Sequence, residues 1–203
     1  LRHIDAHSAF FLLRNCLWIP KLQYILRSAP VYRRLDLLKP LDETLRAALC
    51  SITNVAFGDA SWTQAVLPTR YGGLGLRRTQ DLALPSYLAS LYHCTQLVAT
   101  ILPGALATGL LAEREAVLID WKNAAESAEP PAGDTARSQR AWDSVLADKV
   151  RSRLLSTANQ LEQARLLAAG TAESGAWLHA LPSASLGTLL DPPTLRVAVA
   201  LRV

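Results

Sequence analysis

The chain has 203 residues, a mass of 22.1 kDa and a formal charge of +4, with half of its residues hydrophobic and 19% charged. That is enough for one domain with a real core or for two small ones, and too apolar for a wholly disordered chain. Ten Gly and eleven Pro without a period exclude a collagen-like or low-complexity class, and three Cys exclude a dense disulfide framework.

The dominant period is helical, and no alternating stretch of strand length occurs. Residues 5–19 carry Ala6, Phe10, Leu13 and Leu17 on one face, widened by Phe11 and Trp18, and Pro20 is expected to break or restart the helix. Leu22, Ile25 and Leu26 form a second short stripe, with Gln23 and Arg27 facing the other way. After Pro40-Leu41, Asp42 reads as an N-cap and Glu43 as an acid in the first turn. Leu45, Ala48, Leu49, Ile52 and Ala56 line the core face of that helix, and Gly58 closes it in a left-handed conformation. Leu67-Pro68 and Gly72-Gly73-Leu74-Gly75 mark a loop or tight turn.

Further helices are expected over 81–102, with Pro85 near the start, and over 105–122, with Leu106, Leu110, Leu111, Val117, Leu118 and Trp121. Residues 82–112 contain no charged side chain, but Pro85, His93, Gln96 and Pro103-Gly104 divide them into two buried helices rather than a membrane span. Residues 123–138, rich in Ala, Glu, Ser, Pro and Gly, read as a flexible linker. From 140 to 169 the pattern is helical again, with Trp142, Val145, Leu146, Val150, Leu154 and Leu161 inward and Gly170 as a stop. Asp191-Pro192 starts a last helix. The expected fold class is all-α: a helical bundle over 1–122, a linker over 123–138 and a second small helical region over 139–203. No methionine occurs, even at position 1, and Leu201-Arg202-Val203 stops inside an apolar periodic segment, so a fragment of a longer parent is expected. No signal peptide is visible, and secretion is not expected.

Charge is unevenly placed. Residues 1–90 hold eleven Lys/Arg against six acids, and nine of those bases are Arg. A basic half suits contact with a polyanion, and a solvated surface is the plainer reading. No complete catalytic motif is present. The Gly72–Gly75 run lacks the Lys-Ser/Thr pair of a phosphate-binding loop and the third Gly of a dinucleotide fingerprint. Cys16, Cys50 and Cys94 lack zinc-ligand spacing and read as small core residues. His3 and His7 stand four apart, compatible with a shared metal or with two solvated imidazoles at a terminus. His93-Cys94 point about 100° apart on a helix and make a poor nucleophile–base dyad.

One segment is specific. Gln64-x-x-Leu67-Pro68-x-x-x-Gly72-Gly73-Leu74-Gly75-Leu76, followed by Ala89-Ser90-Leu91, resembles the region just after the polymerase core of reverse transcriptases from non-LTR (LINE-like) retrotransposons. Leu12-Leu13-Arg14-Asn15-Cys16 and Leu26-Arg27-Ser28-Ala29-Pro30 resemble thumb helices of that family, and Trp177-Leu178-His179-Ala180-Leu181-Pro182 resembles a later segment of it. Pro85 departs from the plain helix former usual at its position.

The resemblance implies a parent RNA-directed DNA polymerase, nuclear or cytoplasmic. Its catalytic Asp-Asp motif and Mg would lie upstream, so this piece would be non-catalytic and carry no cofactor. The piece itself would be a thumb-like bundle plus a helical linker region. Its implied partners are RNA and DNA, as a template–primer duplex, and the remainder of the polymerase, with no membrane. A thumb grips phosphates without reading sequence, through Arg and Lys on helices and backbone N–H groups at a Gly-rich turn. The candidates are Arg14, Lys21, Arg27, Arg33 and Arg34 on helices, and Arg70, Tyr71, Gly72, Gly73, Arg77 and Arg78 around the turn at 68–76. The glycines are equally compatible with a plain tight turn, and Tyr71 with a partly buried loop aromatic. The five Trp read as core. A helical protein-interaction module, or a degenerate transposon remnant, stands as the alternative.

Overall fold

A computed structural model describes residues 3–102, 104–126 and 128–203, with the side chains of 105–107 outside the description. Arg2, Pro103 and the Leu106 side chain therefore lie outside the described residues. The protein is all-α. Among the described residues there are nine α-helices and no strand: α1 Ala6–Leu12, α2 Ile19–Ser28, α3 Leu35–Thr53, α4 Asp59–Ala65, α5 Thr79–Ile101, α6 Gly104–Ala125, α7 Gln139–Thr157, α8 Gln160–Ala169 and α9 Pro192–Arg202.

Local chemistry explains most of the boundaries. Asp5 caps α1 by accepting from the Ser8 N–H. The helix then loosens into a π turn over Leu13–Leu17, and Pro20 sits in the first turn of α2, where its missing N–H costs little. Asn159 divides 139–169 into two helices through a reciprocal capping box with Glu162. Asp191 caps α9 at the Thr194 N–H, with Pro following it.

Several expectations are corrected. Helix α3 begins at Leu35 and continues past Pro40, so Asp42 is a buried residue of the helix interior rather than its cap. Burial of Leu38, Leu45 and Leu49 on this helix offsets the roughly 3 kcal/mol that an internal Pro costs. Gly58 does not close α3. Asn54 takes the left-handed conformation there at φ 52, and Gly58 is the extended N-cap of α4. Ala56 and Leu161 are exposed, the latter at 70%, and Leu166 fills the core from α8 instead. Cys16 is exposed, in the π turn.

The chain forms two compact units, each built from separated segments. The first comprises Leu1–Leu22, Pro40–Arg78 and Val150–Val203; the second comprises Gln23–Lys39 and Thr79–Lys149. The expected division at 123–138 is not a boundary, because that segment lies wholly within the second unit.

The core of the first unit draws Phe10 and Leu13, Leu45 and Leu49, Trp62, Ala65 and Val66, Leu74 and Leu76, and Leu178, Leu195 and Val199 into one cluster. Each such large side chain contributes about 1.5–3 kcal/mol on burial. Trp18 and Trp177 pack against this cluster, and Trp177 stacks on Phe10 at 6.3 Å. The core of the second unit is the α5–α6 hairpin closed by Trp142. That indole meets Trp121 edge-on at 4.9 Å and donates to the Ala136 carbonyl at 2.6 Å. Ala136 belongs to a 3₁₀ turn, Gly133–Arg137, so the segment expected as a flexible linker carries an ordered turn and supplies a buried residue.

Candidate nucleic-acid interface

The Gly-rich turn in the first unit follows a 3₁₀ turn, Thr69–Tyr71. Backbone bonds knit it together: the Gly72 N–H reaches Thr69 O, Gly73 reaches Pro68 O, Leu74 reaches Ala65 O, and Gly75 reaches Leu67 O. Gly72 is left-handed at φ 87. A Cβ on Gly73 would lie 2.6 Å from the Gln64 carbonyl and closer still to that of Leu67. Only glycine lets the backbone pass there. Gln64 bonds the carbonyls of Gly72 and Arg202, at 3.3 and 2.6 Å. Leu67, Leu74 and Leu76 are buried.

The space left by Gly72 and Gly73 is thus filled by protein. A Cβ on Gly72 would meet the Leu166 side chain at 2.9 Å. This is the tight-turn role, and the two glycines do not offer backbone to a phosphate.

Two arginines hold this turn from inside. Arg202 of α9, 6% exposed, donates to Gly73 O at 2.9 Å, Thr69 O at 3.0 Å and Ser174 O at 2.9 Å. Arg14 donates to Leu178 O and lies against Gly75. Burial lowers the pKa of both guanidiniums, and the charge of Arg14 lowers that of Arg202 further. His179 is held below its usual value by burial and then by these two cations. Arg77 donates to Val66 O at 2.6 Å, and its own carbonyl accepts from the Trp18 indole at 3.0 Å. Arg14 and Arg77 therefore serve the fold.

The partly exposed chemistry of the turn lies at Arg70 and Tyr71. The Arg70 guanidinium sits 4.6 Å from the Tyr71 ring centroid, and that of Arg151, from α7, sits 5.7 Å from the same ring. Both guanidiniums thus lie over the one phenol ring beside the turn. Arg78 is half-buried, and Lys21 is exposed on α2.

The remaining candidates belong to the second unit. Arg33 pairs with Glu113 at 3.2 Å and stands 3.9 Å from Asp120. Tyr32 donates to Asp120 at 2.6 Å, and burial and that carboxylate raise the phenol pKa strongly. Arg34 makes a two-point pair with Asp36 at 2.8 and 3.0 Å. Both guanidiniums are committed to carboxylates. Arg27 is half-exposed on α2.

Three residues escaped the sequence reading. Arg202 follows Leu195 and Val199 at core spacing, so a base on an apolar face was its signal. Arg151 had none, since only the tertiary fold brings it to Tyr71. Tyr24 stands on the polar side of α2 with Gln23 and Arg27, where an aromatic is out of place. His7 is buried and accepts the Leu190 N–H at Nδ1, 3.0 Å away, which places that nitrogen inside the fold. Among the described residues no group of three or more His, Cys, Asp or Glu is placed to hold a metal. Compared with known proteins, the chain matches no family, no curated protein and no solved structure.

Proposed function

We propose that the chain is a non-catalytic piece of a retrotransposon-type RNA-directed DNA polymerase that holds a template–primer duplex through sequence-independent phosphate contacts. The observation that carries this reading is the placement of the Arg70 and Arg151 guanidiniums over the Tyr71 ring beside the Gly-rich turn. Arginine side chains contact phosphate oxygens without reading bases, and two of them gathered at one ring suit that task. The motif itself supports the resemblance. Gln64 bonds across the turn, Gly72 and Gly73 let its backbone close, and Leu67, Leu74 and Leu76 are buried. RNA, DNA and the rest of the polymerase are the proposed partners. No helix among the described residues is long and apolar enough to cross a membrane.

The test is binding of the chain to two RNA–DNA hybrids of unrelated sequence, titrated with salt between roughly 50 and 200 mM. Replacing both Arg70 and Arg151 with Ala should weaken both hybrids alike and reduce the salt slope by about 2. An unchanged slope overturns the assignment of these residues, and absence of salt-dependent binding by the unaltered chain overturns the reading. That last result would favour the interaction-module alternative, which the exposed Leu97, Ile101, Leu102 and Leu111 of the α5–α6 hairpin support.

A further inference from the structure

We propose that Arg14, Thr69 and His179 form a binding site for a phosphate group, seated over the buried guanidinium of Arg202. The site uses residues that the duplex reading leaves aside. Free phosphate and a phosphate of a nucleic acid are its two possible sources.

Thr69 joins the parts. Its carbonyl accepts from Arg202 Nη2 at 3.0 Å, and its Oγ1 lies 3.4 Å from His179 Nε2. Arg14 closes the third side. A Cβ on Gly75 would stand 2.9 Å from Arg14 Nε, 3.1 Å from its Nη2 and 3.3 Å from the Thr69 methyl. Glycine at 75 therefore leaves that edge of the guanidinium uncovered. Arg14 Nη1 donates to the carbonyl of Leu178, the residue before His179. All four side chains belong to the first unit.

The charge here is not balanced by the protein. A cation taken out of water ordinarily brings a carboxylate with it. Arg33, Arg34 and Arg46 each have one. Arg14 and Arg202 pair with none among the described residues, and their bonds go to carbonyls and to one Ser hydroxyl. The two cations feel each other, and both hold His179 toward its neutral form. The fold thus gathers two guanidiniums and an imidazole with no negative charge to offset them.

The donors select the anion. Arg14 is half-buried, and its Nε and Nη2 meet no protein acceptor among the described residues. The Thr69 hydroxyl bonds only the exposed ring of His179. The Arg14 edge would occupy both oxygens of a carboxylate and leave the hydroxyl and the imidazole to water. A phosphate has further oxygens for them. Arg202, with all three nitrogens bonded to backbone, supplies charge and no contact.

The experiment follows the histidine ring resonances of the 203-residue chain by NMR while inorganic phosphate replaces chloride at constant ionic strength. The His179 signals should move saturably and its pKa should rise, while the buried His7 stays put. By calorimetry, H179A and T69V should each weaken phosphate about fivefold or more, and R14K should do the same because an ammonium lacks the two-point edge. Circular dichroism melts confirm that each variant is folded, and the two variants at partly exposed positions test the site even where R14K fails to fold. A second arm uses the RNA–DNA hybrid. Competition between hybrid and phosphate, with loss of hybrid affinity in H179A, assigns the site to a nucleic-acid phosphate. Hybrid binding indifferent to both assigns it to free phosphate. Phosphate binding without hybrid binding sinks the duplex reading and leaves this one standing. The proposal is overturned when neither phosphate nor hybrid moves the His179 signals, when His7 moves as much as His179, or when H179A and T69V bind as tightly as the unaltered chain.

Discussion

The Arg202 guanidinium donates through Nε to the carbonyl of Gly73, 129 residues away in sequence, at 2.9 Å. The same side chain reaches the carbonyls of Thr69 and Ser174, so one cation ties the turn to the 3₁₀ segment Glu173–His179. Arg202→Ala should cost about 3 kcal/mol or more in urea unfolding, because it removes three bonds from a buried charged donor and leaves a cavity beside the turn. Arg202→Lys should recover only part, since an ammonium lacks the planar fork that spans several acceptors. A loss below about 1 kcal/mol for the Ala variant would show that water replaces the bonds without penalty.

Glycine positions in this chain separate sharply by what surrounds them. Gly73→Ala should destabilise by about 3 kcal/mol or more, because the new methyl meets the Gln64 and Leu67 carbonyls and neither can withdraw without opening the turn. Gly109→Ala, inside α6 with nothing within 4 Å of the added methyl, should stabilise by about 0.5–1 kcal/mol. Thermal melts of the two variants measure both signs.

Acid should weaken the first unit before any carboxylate titrates. Burial holds the pKa of His7 below its usual 6.5, and the nearby charge of Asp5 offsets only part of this. Below 6.5 the unfolded chain takes up the proton before the folded one does. Stability is therefore full above that pH and declines as pH falls toward the depressed folded value. Protonation would also convert the acceptor of the Leu190 N–H into a donor. His179 is depressed as well and adds to the same window. His7→Gln should flatten part of the decline in urea midpoint between about pH 7.5 and 5, leaving the share of His179. A slope identical to that of the unaltered chain would remove His7 as its source.

In the second unit, Trp142→Phe deletes the indole N–H that binds Ala136 and trims the edge contact with Trp121. It should cost about 1–3 kcal/mol and reduce the near-ultraviolet circular dichroism of the tryptophan pair. An unchanged spectrum would mean that this indole environment does not produce the signal.

Element identity was legible because it is local. Apolar spacing marked the helices, Pro20 a restart, and Asp191-Pro192 the start of α9. Pro40 misled the reading because a local rule for ending helices yielded to the burial of Leu38, Leu45 and Leu49. The site was less legible. Arg33 and Arg34 look like free phosphate ligands in a list of bases, yet Glu113 lies 80 residues from Arg33 in sequence, and no periodicity announces that pairing. Gly72 and Gly73 could face a ligand or the chain itself, and only the positions of the Gln64, Leu67 and Leu166 atoms decide between these. The two units were invisible for a similar reason, since linker composition marks where a chain is polar and not where its segments later meet.

That interleaved order has a consequence for how the protein is made. Phe10 shares a core with Leu195 and Val199, and His7 binds the backbone of Leu190. A ribosome adding roughly 5–20 residues per second needs on the order of ten seconds or more to cover that interval. For that time α1 is without the helix that seals it, while all of the second unit has already been synthesised. Nascent first-unit segments thus wait with apolar faces uncovered, and their closure through long-range contacts is the slow, aggregation-exposed step of folding.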